Sequence, residues 1–248
     1  MTSRPRRSPR GSFRSLYRLF LRAQISAGRL VVVGAVSAVL LLMALAVRSR
    51  ASHSIDPVRD AVGVLNGLGL SLAVPFLALA FASSVLGDLV DDRTLVYVWL
   101  RPVPRRTIGA AAALASATVV VPVTVIPLVV AAVVASGEPA VIGGTAVASF
   151  VGVIGYCGVF TWLGLRVRRA LVWGVAYILL WEGFIVRASA TAAKLAVRAY
   201  TRSILSEYTG VGLDQGTMPV AAGIGVPLAV AVVAVALTAR RLQRASVD

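Results

Sequence analysis

Six runs of apolar residues constrain this chain more than anything else in it. They cover Leu30–Val47, Val62–Leu86, Ile108–Ala135, Val141–Leu165, Ala170–Val186 and Met218–Ala239. Each is close to or above the roughly 20 residues a helix needs to cross a bilayer core about 30 Å thick. Inside hydrocarbon the backbone must satisfy its own hydrogen bonds, so such runs fold as helices. The remaining residues could not clothe a soluble domain. Of 248 residues 58% are hydrophobic and 14% charged, with a mean hydropathy of +0.86, against about 45–50% and about 25% in soluble domains. A disordered chain would be poor in these same aliphatic residues. The expected fold class is all-α: a polytopic membrane protein with six transmembrane helices. Its expected parts are a basic arm and interfacial helix over 1–29, one six-helix domain over 30–239, and a tail over 240–248.

The first run resembles a signal peptide in one respect, the Ala44-Leu45-Ala46 sequence. It is too long for the apolar region of a signal peptide, and Arg48 follows at once, so an uncleaved span is expected. The charges are strongly one-sided, 25 basic against 10 acidic, with Lys194 as the only lysine. They lie mostly in short segments between apolar runs, as topology signals do and nucleic-acid surfaces do not. Counted on alternate sides of six spans, 18 basic residues fall on the side of both termini and 7 on the other. Both termini are therefore expected in the cytoplasm, in a plasma membrane. The Arg, Ala and Val bias fits a prokaryotic source.

Residues 12–29 carry a second pattern. At about 100° per residue Arg14, Arg18, Arg22 and Arg29 share one sector, with Phe13, Leu16, Tyr17 and Phe20 opposite. A helix lying in the interface, arginines toward lipid headgroups, is expected. Pro75, Pro122, Pro127 and Pro227 lie inside spans, where they imply kinks at close helix contacts or a cavity wall. Gly152, Gly155 and Gly158, with Ala148, favour close helix approach in the fourth span. No internal repeat is visible, which argues against an inverted-repeat carrier.

Several chemistries have no residues to serve them. The chain lacks a Gly-x-x-x-x-Gly-Lys-Ser/Thr phosphate loop, a Gly-x-Ser-x-Gly elbow and a His-Glu-x-x-His helix. One cysteine, Cys157, and one histidine, His53, exclude intrachain disulfides and His-clustered metal sites. Asp88, Asp91 and Asp92 could share a helix face as oxygen ligands, but at a span end such acids more often cap or pair with arginines such as Arg93. No catalytic, cofactor-binding or metal residue is therefore assigned.

Residues 87–106, between the second and third spans, are more than a topology signal. Mixed charges surround an apolar core of Leu95, Val96, Val98, Trp99 and Leu100, and Pro102 and Pro104 end it. A short helix suited to a groove in a soluble partner is expected here. At these residues the chain resembles the permease subunit of the type-2 ATP-binding-cassette exporters. That family carries an acid, a Thr-Leu pair and an Arg-Pro-Val-x-Arg element in this loop. Asp91 or Asp92, Thr94-Leu95 and Arg101-Pro102-Val103-Pro104-Arg105 match these, while Arg93 stands where many relatives have glycine. Trp181-Glu182-Gly183, followed by Arg198, Tyr200 and Ser203, is similar to a second family element.

The resemblance implies an ATP-driven transport subunit, an exporter, with no catalysis and no cofactor of its own. Its implied partners are a cytosolic ATPase subunit that binds the ATP, a second permease subunit, and membrane lipids, with no nucleic acid. Asp91, Asp92, Thr94, Leu95, Trp99, Arg101, Pro102 and Arg105 would form the ATPase-coupling loop. Glu182 and Arg198 would form an external gate or polar contact, and by the span count Glu182 falls near the external end of the fifth span, within reach of Arg187. Arg187, Lys194, Arg198 and Arg202 share about 80° of a helix, a cationic external face for lipid phosphates or an anionic substrate. In the resembled family this region forms short helices dipping into the outer leaflet. Two alternatives stay open: an ion- or proton-coupled carrier using Glu182 or the aspartates, and an intramembrane lipid-modifying enzyme.

Overall fold

The structure, a computed structural model, describes residues 9–91, 105–185, 190–213 and 218–244. Among these all regular structure is helical. Helix α1 is Pro9–Gln24 and α2 is Ala27–Arg50. Next come α3 (Pro57–Val64), a π-helical segment (Leu65–Ala73) and α4 (Val74–Asp91), running on from one another. Then follow α5 (Arg105–Ala135), α6 (Pro139–Arg166), α7 (Ala170–Ala176) and a second π-helical segment (Tyr177–Ile185). The chain ends in α8 (Ala190–Ala193), α9 (Val197–Thr209) and α10 (Val220–Arg244).

Five helices are long and apolar enough to cross a membrane: Ala27–His53, Pro57–Asp88, Thr107–Ala135, Pro139–Arg166 and Val220–Gln243. Their outward surfaces carry large apolar side chains, among them Leu42 and Leu45 on α2 and Val232 and Val233 on α10. Water would not tolerate so continuous an apolar exterior. The protein is a polytopic membrane protein.

Helix α6 is the axis, touching α4, α5, α9 and α10. Its small residues explain how four neighbours fit. A Cβ on Gly158 would lie 2.6 Å from the Ala231 Cα, one on Gly152 would meet Thr201 and Val74, and one on Gly155 would meet Pro227 and Val197. Gly164 lies directly against the Ser83 carbonyl of α4. In lipid, where no hydrophobic effect drives helices together, such close approach is what holds them. The glycines of the fourth span are thus contact positions, and Pro227 sits at one of those contacts.

Pro75 follows the first π-helical segment. Having no N–H, it cannot bond the carbonyl four residues earlier. The wide turn just before it is one of the local adjustments that accommodate such a gap.

Three expectations need correction. The interfacial helix stops at Gln24, and Ser26 caps a new helix by accepting from the Arg29 N–H at 3.4 Å. Arg29 therefore belongs to α2 and not to the arginine face of α1. Arg14, Arg18 and Arg22 are exposed, while Leu16 and Phe20 are buried against Val85, Leu86, Ile108, Ala111, Leu165 and Leu242. The opposed faces of α1 are present, and its apolar face is seated on the ends of α4, α5 and α10. This cluster also places α1 and the end of α10 at one end of the bundle.

The second correction concerns the fifth run. It is shorter than the other spans: α7 and the second π-helical segment run on as one helix over Ala170–Ile185, below the length of the five that can cross a membrane. Gly174 faces Leu79 and the segment ends beside Tyr156. From that depth α9 runs on antiparallel to α6, with Val197 against Gly155, Thr201 against Gly152, and Leu205 and Tyr208 against Gly144.

Third, the four basic residues expected on one cationic face do not form one. Lys194 lies exposed in a turn before α9, while Arg198 and Arg202 point into the bundle and Arg187 lies outside the described residues.

Candidate functional site

The polar centre of the bundle is built on Glu182, which is 1% exposed. One carboxylate oxygen accepts from the Tyr156 hydroxyl of α6. The other accepts from the Tyr177 hydroxyl at 3.2 Å. The backbone carbonyl of Glu182 accepts from Arg198 Nη1 at 3.3 Å. Three elements therefore meet at one residue.

Local helix geometry makes this possible. Five residues apart on an α-helix, Tyr177 and Glu182 would point about 140° away from each other. The i→i+5 turns of a π-helix bring such residues close to one line. Tyr156 stacks on Phe160 at 5.7 Å between ring centroids, and Phe160 meets the Tyr177 ring edge-on at 6.3 Å. These contacts fix both phenols before they reach the carboxylate.

Depth sets the energetics. Tyr156 lies ten residues before Arg166, the last residue of α6, or about 15 Å at 1.5 Å per residue. That is half the thickness of a bilayer core. Glu182 was expected near the external end of its span, within reach of Arg187; it stands three residues before Ile185, the last residue of the second π-helical segment, with Tyr156, Tyr177 and Arg198 for partners, while Arg187 lies outside the described residues. A carboxyl group there is tolerated only among partners of this kind.

Arg202, one turn beyond Arg198, donates from Nε to Asn66 Oδ1 at 3.1 Å and from Nη2 to Ser71 Oγ at 3.4 Å. Each of these two arginines is thus held by one π-helical segment. Tyr200 donates to the Lys194 carbonyl at 2.7 Å, and Ser203 accepts from the Met218 N–H at 3.3 Å. Trp181 and Met218 cover Ala193, Ala196 and Ala199. These contacts tie the segment after Glu182 to the start of α10.

At the end carrying α1, Arg29 Nη2 pairs with Asp88 Oδ2 at 3.2 Å, and the Arg29 Cζ lies 5.8 Å from the Phe81 ring centroid. Asp88 therefore engages an arginine of α2. Asp91 closes α4 and Arg105 opens α5. Asp92, Thr94, Leu95, Trp99, Arg101 and Pro102 lie outside the described residues.

The structure brings Glu182 and Arg198 together through the Glu182 backbone carbonyl. Tyr156, Tyr177, Asn66 and Ser71 were not foreseen. One signal for them was present: Asn66 is the only asparagine in the sequence and stands in an apolar run, where an amide is expected to bond a neighbouring helix. Chemically, the cluster is a carboxylate acceptor held by two phenols, with an arginine on the adjoining backbone carbonyl. Comparison of the sequence with models of known protein families finds no match, and neither does comparison with curated proteins.

Proposed function

We propose that this chain is the permease subunit of an ATP-driven exporter in a prokaryotic plasma membrane. In this reading both termini are cytoplasmic and there are six crossings. The fifth is a composite, rising through α7 and the second π-helical segment and completed by α9. A second permease subunit, identical or not, would complete the substrate path, and two cytosolic ATPase subunits would supply the energy.

The observation that carries the reading is the seat of α1. Its Leu16 and Phe20 bridge Val85 and Leu86 of α4 to Ile108 and Ala111 of α5, the two flanks of the connection that holds Thr94-Leu95 and Arg101-Pro102. A partner pushing on that connection would move α4, α5 and α1 together.

Pull-down through this subunit from its native membranes tests it, and recovery of a nucleotide-binding ATPase is the expected result. A buried aromatic anchor at an interface is worth about 2 kcal/mol or more, a rim charge less. Trp99→Ala should therefore weaken co-purification more than Arg106→Ala. Asp92→Ala should leave the complex intact but its ATP hydrolysis unresponsive to substrate. Absence of any ATPase, with transport unaffected by Trp99→Ala, would sink the proposal.

The buried carboxyl group of Glu182 supports a second reading, a proton-coupled carrier. That reading requires the purified chain alone, in proteoliposomes, to move substrate under a pH gradient and to lose this with Glu182→Gln. Gradient-driven transport without an ATPase would decide for it.

A further inference from the structure

We infer that Arg202 of α9 holds the first π-helical segment in its register, and that α3 is the part of the chain that turns when this hold is released. Arg202 donates from Nε to Asn66 Oδ1 at 3.1 Å and from Nη2 to Ser71 Oγ at 3.4 Å. Both acceptors belong to the segment Leu65–Ala73 and stand five residues apart. On an α-helix two such residues would point about 140° away from each other, and one guanidinium group would not reach both. In the i→i+5 pattern they come close to one line, which is the spacing the arginine bridges. The pair of hydrogen bonds therefore exists in one register and is lost in the other.

That register has to be held. π-Helical turns are rare, mostly single, and frequent at functional sites; here nine residues adopt them. Pro75 leaves a gap at the carbonyl four residues before it, that of Ser71, and does nothing for the turn that begins at Asn66. The second π-helical segment repeats the arrangement against the same helix. Tyr177 and Glu182, again five apart, are joined directly, and Arg198, one turn before Arg202, donates to the Glu182 carbonyl.

Packing decides which side moves. Beyond the segment, α4 is wedged against α6 where Gly164 meets the Ser83 carbonyl, and against α7 where Leu79 meets Gly174. Before it, α3 is eight residues long and packs chiefly on α2 and on the segment itself. When a π turn returns to the α pattern, the residues before it advance by one position, a rotation of about 100°. Ala61 is buried, whereas Gly63 is exposed and lines a cavity of about 650 Å³ together with Arg59, Asp60 and Arg202. After the turn Ala61 takes the exposed position of Asp60, and Gly63 the buried position of Val62. A change of register in the segment thus exchanges the residues that α3 presents to the cavity. The inference holds whether or not the chain is a transport subunit.

Maleimide labelling of single added cysteines in the purified full chain, in detergent, tests it. The reporters are Ala61→Cys and Gly63→Cys; the native Cys157 is buried, and a side chain at position 63 meets nothing within 4 Å. In the wild-type background Gly63→Cys should label and Ala61→Cys should not. The hold is released in two ways: R202Q removes the donor, and N66A/S71A removes both acceptors and leaves the arginine. A minor state of a two-state element is populated at about 0.1–10%, so release should speed labelling of Ala61→Cys about tenfold or more and slow that of Gly63→Cys. If R202Q fails to fold, N66A/S71A carries the test alone. Four results overturn the inference: the reverse pattern in the wild-type background, a pattern that release leaves unchanged, a rise at both reporters, which is loosening without a change of register, and a shift in R202Q with none in N66A/S71A.

Discussion

Glu182 shows what a single polar residue does when its partners come from three elements. Alanine at this position would strip the acceptor from both Tyr156 and Tyr177, and an orphaned buried polar group costs about 1–3 kcal/mol. Glutamine keeps the shape and one acceptor oxygen. Unfolding midpoints in detergent should therefore run wild type, then Glu182→Gln, then Glu182→Ala, and an alanine variant as stable as wild type would mean that the phenol contacts carry no weight. Gly158 makes the complementary point, because what matters there is an absent side chain. A methyl group would press on the Ala231 backbone of α10, whereas at Gly34 of α2 it would meet nothing within 4 Å. Overfilling a close contact costs about 1–3 kcal/mol, so Gly158→Ala should lower the unfolding midpoint and Gly34→Ala should not. The spacing of Gly152, Gly155 and Gly158 announced such contacts in the sequence. The partners of Glu182 were hidden there, because Tyr156 and Tyr177 reach it only through a neighbouring helix and a π-turn.

Among the elements, α1 was the most legible, since a 3.6-residue period separates arginines from aromatics whatever the helix rests on. Its function as a clasp follows from Leu16 and Phe20, 1% and 2% exposed. Truncating a buried phenylalanine costs about 3–5 kcal/mol, so Leu16→Ala/Phe20→Ala should loosen the end of the bundle, seen as faster proteolysis of the 92–104 connection. Arg18→Ala, on the exposed face, should leave the cleavage rate unchanged, and a double variant as resistant as wild type would make α1 a bystander. The same periodicity misled for α9. It grouped Arg198 and Arg202 correctly on one face, but a shared face does not say which way it looks. In a soluble helix a charged stripe faces water; in a membrane bundle it turns inward toward partners, here Glu182, Asn66 and Ser71.

At the scale of the molecule, two asymmetries have to agree. One is geometric: Leu16 and Phe20 meet Leu242, so α1 and the end of α10 share one end of the bundle. The other is electrostatic: counted over the six expected spans, 18 of the 25 basic residues fall on the side of the termini and 7 on the other. Positive charge in short loops is retained in the cytoplasm during insertion, so on the proposed reading the end bearing α1 faces inward. Single cysteines test this directly, since the native Cys157 is buried and should stay silent to a membrane-impermeant maleimide. His53 lies just past the far end of α2 and Arg168 just past the α1 end of α6, and both are exposed. His53→Cys should label in intact cells, and Arg168→Cys only after permeabilisation. The opposite pattern would invert the molecule. Labelling of both from one side would break the bundle itself, because no arrangement with α2 and α6 as full crossings puts those two positions on the same face.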